Sequence, residues 1–187
     1  MYLKYAKPLL DLILSGLGLL FLIPILIPIL IILSCIHAAN PLFIQTRVGQ
    51  HGKYFQVYKL KTIKDNGKSN AFLQFLRKSK IDELPQLLNI LKGEMSLVGP
   101  RPDIPGYYDK LEGENRLILN LKPGLTGYAS LKFANEEELL KQQNNPLFYN
   151  DTIIFPEKVK LNLDYYRKVS LGLDSKIIIK TLLLPFN

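Results

Sequence analysis

The chain has 187 residues, enough for one domain together with a membrane segment but short for two full domains. Its 24 Lys and Arg residues outnumber its 16 Asp and Glu residues, giving a formal net charge of +8. The single cysteine, Cys35, excludes an intramolecular disulfide, and two histidines far from other ligand types give no zinc signature.

Residues 12–36 form an uncharged segment made mostly of Leu, Ile and Phe. A spanning helix needs about 20 such residues. The pattern does not favour a cleavable signal peptide, because no small-residue cleavage site follows and because Pro24 and Pro28 interrupt the apolar run. One spanning helix is the simple interpretation. Pro24 near the middle, and basic residues on both flanks, favour a re-entrant helix that bends at Pro24 and returns to the same leaflet.

The excess positive charge lies between residues 47 and 80, which hold nine Lys or Arg residues and one acidic residue, Asp65. Such a patch attracts phosphorylated small molecules, anionic lipid headgroups or nucleic acid, although a solvated basic surface explains the charge equally well.

The same region begins with a predicted β-hairpin over residues 43–62, whose turn is the tetrad 49–52. A polar loop over 64–70 and a helix over 71–78 follow. A leucine repeat then predicts a helix of about three turns, with Ser79 as N-cap, Pro85 in its first turn and Gly93 as C-cap. Its buried face is predicted to carry Leu84, Leu87, Leu88 and Leu91.

Adjacent carboxylates, Asp82 and Glu83, fall in the first turn of that predicted helix. Carboxylates there can serve as nucleophile, base or Mg²⁺ ligand, and the helix dipole is expected to lower their pKa. The helix end and the neighbouring cations are suited to holding a phosphate beside them. With the apolar N-terminal segment, this pattern indicates phosphoryl chemistry at a bilayer surface.

The C-terminal half adds a rigid extended segment at 96–102, where Pro100 and Pro102 flank Arg101, a bidentate donor suited to phosphate. A rigid turn is predicted at 122–127, a short acidic helix at 136–143, and helices at 161–167 and 176–184. In the last of these, Lys176 and Lys180 share one face of an otherwise aliphatic helix. That helix is either a core helix with extended lysines or a helix lying in the membrane interface.

These motifs resemble the monotopic phosphoglycosyltransferases, a bacterial sugar transferase family that begins lipid-linked glycan assembly. The resemblance runs over nearly the whole chain, and the motifs that carry it are residues 43–49, 58–62, 76–87, 91–102, 122–127 and 173–177.

The resemblance implies that a nucleotide sugar, usually a UDP-sugar, gives its sugar-1-phosphate to a polyprenol phosphate and releases UMP. Asp82 would attack phosphorus and form an acyl-phosphate, with Mg²⁺ bound through Asp82 and diphosphate oxygens. Glu83 would orient Asp82, share the metal or handle a proton. The implied substrate-binding residues are Arg77, Arg101, Pro100 and Lys59, although Lys59 and Lys61 suit lipid headgroups equally.

Two departures from the family pattern stand out. Ile23 replaces the usual Ser before the membrane-segment proline, which removes side-chain support for the bend. Residues 130–136 replace a Gln-Val-Asn-Gly-Arg-Asn segment, which removes an Arg expected to help bind the nucleotide sugar and introduces an acidic helix. Sugar specificity is therefore not transferred from the family.

We predict an α+β, mostly helical fold: a re-entrant membrane-anchoring helix (1–40), a small β-hairpin, and a helical catalytic domain with interfacial amphipathic helices (41–187). The expected location is the bacterial inner membrane, with the catalytic domain on the cytoplasmic face. Expected partners are a nucleotide sugar, polyprenol phosphate and the bilayer, with no nucleic acid; a homodimer is allowed for. The rivals are a membrane-tethered binding module, which leaves the dyad unexplained, and a sugar transferase that releases UDP instead of UMP.

Overall fold

The computed structural model describes residues 1–64, 67 and 69–184. Helices dominate these residues, and the strands form two separate two-stranded sheets. The mostly helical α+β prediction is therefore confirmed. The α-helices are α1 (Lys7–His37), α2 (Ala71–Lys78), α3 (Gln86–Leu91), α4 (Tyr128–Lys132), α5 (Glu136–Lys141), α6 (Pro146–Tyr149), α7 (Phe155–Lys168) and α8 (Leu171–Leu183), and the strands are β1 (Leu42–Val48), β2 (Tyr54–Leu60), β3 (Ser96–Val98) and β4 (Gly124–Thr126).

Helix α1 contains the apolar segment and runs without interruption through Pro24 and Pro28. Within the described residues it is the one helix long and apolar enough to cross a membrane, and most of its apolar window is exposed. Ile23 and Pro24 are both on the exposed side. The re-entrant path with its bend at Pro24 stays a prediction.

Polar contacts fasten α1 to the rest of the protein at both of its ends. Near the N-terminus, Lys7 Nζ donates to Asp174 Oδ2 at 2.6 Å, and Asp11 Oδ1 accepts from the backbone amide of Leu97 at 3.0 Å. At the C-terminal end, His37 Nε2 lies 2.8 Å from the carbonyl oxygen of Lys61. The Lys7–Asp174 pair is buried, where an ion pair needs good geometry and added hydrogen bonds to offset its desolvation.

Apolar packing joins the middle of α1 to the same body. Leu26 and Leu33 form one buried cluster with Leu60 of β2 and with Leu73 and Leu76 of α2. Residues 1–40 and the rest of the chain thus share a hydrophobic core, while their division into an anchor and a catalytic domain stays a prediction.

The predicted hairpin is confirmed. Strands β1 and β2 pair antiparallel, from Leu42 opposite Leu60 to Val48 opposite Tyr54, and residues 49–52 form the connection. The polar loop predicted at 64–70 is only partly described, since Asp65, Asn66 and Lys68 lie outside the described residues.

The second sheet was not predicted: β3 and β4 pair in parallel, with Val98 opposite Thr126. Three glycines allow the backbones of these two segments to come into contact. A Cβ added to Gly99 or Gly124 would collide with the other strand's backbone, and one added to Gly127 would meet the carbonyl of Gly99. The segment predicted as a rigid turn at 122–127 therefore contains a short strand, selected by close approach and not by β-propensity.

The three helices predicted in the C-terminal half are present, and two of them are longer than predicted. The acidic helix is α5, residues 161–167 lie within α7, and residues 176–183 form the second part of α8. On α8, Asp174 and Ile177 are buried, whereas Ile179, Leu182 and Leu183 are exposed. One face thus belongs to the core and another presents aliphatic side chains outward.

Candidate active site

The backbone around the two carboxylates differs from the single helix that the leucine repeat predicts. Residues Ile81–Glu83 form a short 3-10 helix, and the α-helix α3 begins only at Gln86. Lys80, just before the dyad, has a φ of 59°, a left-handed conformation that is uncommon for a residue with a Cβ. Because this residue turns the chain between α2 and the dyad, the predicted three-turn helix is wrong.

The predicted caps fare unevenly. Ser79 ends α2 instead of starting the next helix, and its hydroxyl donates to the carbonyl of Phe75 at 2.7 Å. Pro85 lies immediately before α3. Gly93, with a φ of 77°, follows the end of α3 as a C-terminal glycine should. Of the predicted apolar face, Leu88 is 44% exposed, so that part of the prediction is wrong.

Asn89, which the sequence reasoning overlooked, joins α3 to strand β2. It is fully buried, and its Nδ2 donates to the carbonyl of Gln56 at 2.7 Å and to Glu94 Oε2 at 2.8 Å, while its Oδ1 accepts from the amide of Tyr58 at 3.2 Å. A polar residue on an otherwise apolar helix face was the signal that could have identified it. This bridge holds β2, and so Lys59, against the segment that carries the dyad.

Glu83 is held by two cations. Arg101 Nη1 donates to Glu83 Oε2 at 3.0 Å, and Arg101 Nη2 pairs with Oε1, which makes a bidentate contact. Lys59 Nζ adds a third bond, to Oε1 at 3.2 Å. Burial would raise the pKa of Glu83, but the charge and hydrogen bonds of Arg101, together with Lys59, lower that pKa to about 2.

Asp82 has a contrasting environment. Its side chain is buried, and its Oδ1 has no hydrogen-bond partner among the described residues. Burial, and next the charge of Glu83, raise the pKa of Asp82 to about 6, against the lowering effects of Lys59, Lys80 and Arg77. The expectation that a helix dipole lowers this pKa is wrong, because a three-residue 3-10 helix supplies little dipole and desolvation outweighs it.

Two adjacent carboxylates are thus given different chemical characters by their surroundings. Glu83 is ionised and fully engaged, whereas Asp82 keeps a buried oxygen that no described residue hydrogen-bonds. Environments that push paired titratable groups apart commonly mark the acid, base and nucleophile of an active site.

The predicted cationic residues lie around Asp82 and Glu83, but Arg77 forms its ion pair elsewhere. Lys59 and Arg101 contact Glu83 directly, and Arg47, which the prediction left out, lies beside Arg101 and 3.9 Å from Asp103. Arg77 Nη2 instead pairs with Glu137 Oε2 of α5 at 3.0 Å. Pro24 lies within the exposed part of α1 and makes no contribution to this cluster.

The position of Arg101 follows from the parallel strand pair. Pro100 is buried, and its carbonyl accepts from the amide of Gly124 at 2.8 Å. The backbone amide of Val48 is in turn held by the carbonyl of Asp103 at 2.9 Å. The Pro-Arg-Pro segment is therefore bound at both of its ends, and Arg101 projects from it towards Glu83.

The donor set bears on the metal expected at Asp82. No group of three or more His, Cys, Asp or Glu side chains suited to a metal occurs among the described residues. A cage of protein ligands is thus not formed there. One unengaged carboxylate beside a cationic surface does fit Mg²⁺, which is commonly bound through one or two carboxylates together with substrate phosphates.

A surface cavity of about 370 Å³ lies apart from the two carboxylates. It is lined by His51 of the hairpin turn and by Arg116, Leu117 and Asn120 of the 3-10 helix Gly113–Asn120. None of its lining residues is one of the predicted site residues.

Comparison of this sequence with known proteins identifies its family. The profile of the bacterial sugar transferase family matches residues 2–187. The UDP-glucose:undecaprenyl-phosphate glucose-1-phosphate transferase of Xanthomonas campestris pv. campestris is 31% identical over 96% of this chain, and the Escherichia coli protein of the same name is 30% identical over 94%. This chain spans only 38% and 39% of the length of those two relatives. An uncharacterized sugar transferase of Bacillus subtilis is 37% identical over 70% of both chains.

Proposed function

Because this chain belongs to the bacterial sugar transferase family, we propose that it transfers sugar-1-phosphate from a UDP-sugar to undecaprenyl phosphate and releases UMP. The observation that carries the proposal is the buried Oδ1 of Asp82, unpartnered beside a Glu83 that is engaged by Arg101 and Lys59. The names of the Xanthomonas and Escherichia relatives support the substrate classes.

In the first step, a carboxylate oxygen of Asp82 attacks the phosphorus that bears the sugar. An O–P bond forms to Asp82, the P–O bond to the uridylate breaks, and UMP leaves with that electron pair. In the second step, an oxygen of the polyprenyl phosphate attacks the same phosphorus, and the bond to Asp82 breaks. The carboxylate is restored, and the product is a polyprenyl diphosphate sugar.

Glu83 serves as a positioning residue in this scheme. Both of its oxygens accept bonds from Arg101, and Lys59 binds one of them, so no lone carboxylate oxygen is left for proton transfer. A pKa lowered to about 2 also suits a permanent anion better than a base operating near neutral pH. Glu83 thereby keeps Arg101 and Lys59 beside Asp82.

The remaining cations favour the approach of a diphosphate. Arg77 and Lys80 are near enough to Asp82 for their charges to act on its pKa, and Arg101, although its fork is engaged by Glu83, adds positive charge beside them. Mg²⁺, when bound by Asp82 together with diphosphate oxygens, would neutralise negative charge that develops during transfer.

Both ends of α1 are expected on the cytoplasmic face of the bacterial inner membrane. A helix crossing a hydrocarbon core of about 30 Å would carry one end away from the body, whereas Lys7 and His37 both contact it. The exposed apolar sides of α1 and α8 suit a bilayer and its interface. Cysteines placed at Lys4 and Lys53 should react with a reagent confined to the cytoplasmic side; labelling of position 4 from the periplasm would restore a spanning helix. That the chain forms a homodimer stays a prediction.

The testing experiment incubates purified protein with Mg²⁺, undecaprenyl phosphate and a panel of UDP-sugars, and identifies the nucleotide released. UMP supports phosphosugar transfer, whereas UDP would indicate a transferase that passes the sugar alone. A relative named for N-acetylgalactosamine phosphate transfer, in Aeromonas hydrophila, stands beside the glucose phosphate transferases, so the panel must include both sugars.

Exchange chemistry separates the two-step mechanism from direct transfer. With no lipid present, labelled UMP should enter UDP-sugar in the wild-type protein, and the Asp82→Asn variant should show no exchange. Exchange that strictly requires lipid phosphate, or substantial turnover by the Asn variant, would leave Asp82 as a Mg²⁺ ligand in a direct in-line transfer.

A further inference from the structure

The acidic helix α5 belongs to one of the two departures from the family pattern, and it contacts Arg77 of the candidate site. Glu137 Oε2 lies 3.0 Å from Arg77 Nη2. Its other oxygen, Oε1, accepts from Lys141 Nζ, one turn later on the same helix, at 3.0 Å. The two oxygens of the carboxylate thus have different cationic partners, Lys141 and Arg77.

A second ion pair anchors α5 to the body. Glu136 Oε1 accepts from Lys158 Nζ of α7 at 2.7 Å, and the Lys158 side chain is only 12% exposed. The position of Glu137 is therefore set by a helix tied to α7, and not by a free loop.

We propose that Glu137 is an internal competitor for the substrate phosphate that Arg77 binds, so that α5 sets the affinity of the site for nucleotide sugar. A carboxylate and the diphosphate of a nucleotide sugar engage a guanidinium through the same charge-assisted bonds, so the two cannot occupy one edge of Arg77 together. This inference rests on the proposed role of Arg77 in the transferase reaction. Substrate binding would exchange Glu137 for a phosphate oxygen while Lys141 retains the released carboxylate.

The exposure of the pair sets the size of the effect. The side chains of Arg77 and Glu137 are 44% and 54% exposed, and exposed ion pairs contribute weakly. Removing the competitor should therefore improve substrate affinity about two- to five-fold. A substrate diphosphate can displace such a weak, exposed contact readily, which makes Glu137 a modulator of affinity and not a block.

The test compares Glu137→Gln with Glu138→Gln. Both variants lose one negative charge from α5, but Glu138 has no ion pair to Arg77. We expect Glu137→Gln to lower the KM for UDP-sugar about two- to five-fold with kcat unchanged, and Glu138→Gln to leave both constants near wild type. Because salt screens exposed pairs, the advantage of Glu137→Gln should shrink as ionic strength rises. Equal effects of the two variants would overturn the proposal in favour of a general charge effect.

A double-mutant comparison isolates Arg77. In an Arg77→Ala background, Glu137→Gln should no longer change KM, since the contested guanidinium is gone. An undiminished effect in that background would refute the competition.

A binding measurement without turnover separates this inference from the proposed function. The calorimetric affinity for inorganic pyrophosphate should rise about two- to five-fold in Glu137→Gln and not in Glu138→Gln. If no UDP-sugar yields UMP but this difference is found, the proposed reaction fails while the competition stands. If UMP is released but pyrophosphate binds both variants alike, the competition fails and the reaction stands.

Discussion

The raised pKa of Asp82 predicts that the candidate nucleophile destabilises the folded protein. The Asp82 carboxyl has an ordinary pKa of 3.8 in the unfolded chain and a pKa of about 6 in the folded protein. Each pKa unit corresponds to about 1.4 kcal/mol, so ionised Asp82 costs the folded state about 3 kcal/mol. The neutral amide of Asp82→Asn avoids this cost and should raise the free energy of unfolding at pH 8 by up to that amount.

The sign of the pH dependence makes the prediction specific. Between about pH 4 and 6 the folded state retains a proton that the unfolded chain releases, so wild-type stability falls as the pH rises through that window. The advantage of Asp82→Asn should therefore be less than about 1 kcal/mol at pH 4 and reach its full size above pH 6. Thermal unfolding in detergent micelles should show a Tm increase of about 6–12 °C at pH 8.

The neighbouring carboxylate supplies the matched control with the opposite sign. The pKa of Glu83 is lowered from 4.5 to about 2, chiefly by Arg101 against the effect of burial. Its ionised form stabilises the fold above pH 4.5, and this contribution is lost as the pH falls towards 2. Glu83→Gln should thus lower the free energy of unfolding at pH 8 by about 3 kcal/mol. If both variants shift stability in the same direction, the assignment of separate roles to the two carboxylates is wrong.

Further predictions concern activity and the framework of the site. Since Asp82 must be ionised to attack, kcat/KM for UMP exchange should fall about tenfold per pH unit below pH 6, and a flat profile down to pH 5 would contradict this. Asn89→Ala leaves three part-buried polar groups without their hydrogen bonds to Asn89 and should cost about 2–4 kcal/mol in denaturant unfolding. A loss under about 1 kcal/mol would argue against the bridge. Gly124→Ala brings a methyl group against the backbone of Gly99. The resulting displacement of Arg101 should reduce the rate of UMP exchange at least tenfold. The control variant Gly172→Ala, whose methyl group meets open space, should leave that rate unchanged.

Sequence patterns predicted the elements whose signals are local. The hairpin has alternating side chains around a glycine-rich turn, and α2 and α7 have helical patterns of ordinary length. The resemblance to the family implied a site containing Lys59, Asp82, Glu83 and Arg101, and the structure places these four residues together.

The features that escaped prediction depend on tertiary contacts. The helix start at Ser79 was wrong because Lys80 adopts a left-handed conformation, which no propensity of lysine indicates. The sign of the Asp82 pKa shift was wrong because burial is a property of the folded protein, and a helix N-terminus inferred from sequence says nothing of desolvation. The parallel pairing of β3 with β4 joins residues far apart in the chain through glycine contacts that carry no strand signal.

The attachment of α1 at both ends has a mechanical consequence. A helix attached at one end can rotate about that end, whereas α1 is attached through Lys7 at one end and His37 at the other. Its orientation is therefore coupled to the rest of the protein. Between these two residues, Asp11 accepts a hydrogen bond from the backbone amide of Leu97. Leu97 precedes Pro100 by three residues and Arg101 by four. If α1 lies in a bilayer, as proposed above, a tilt of α1 would be transmitted through Asp11 to Leu97, and from there along the short segment that carries Arg101.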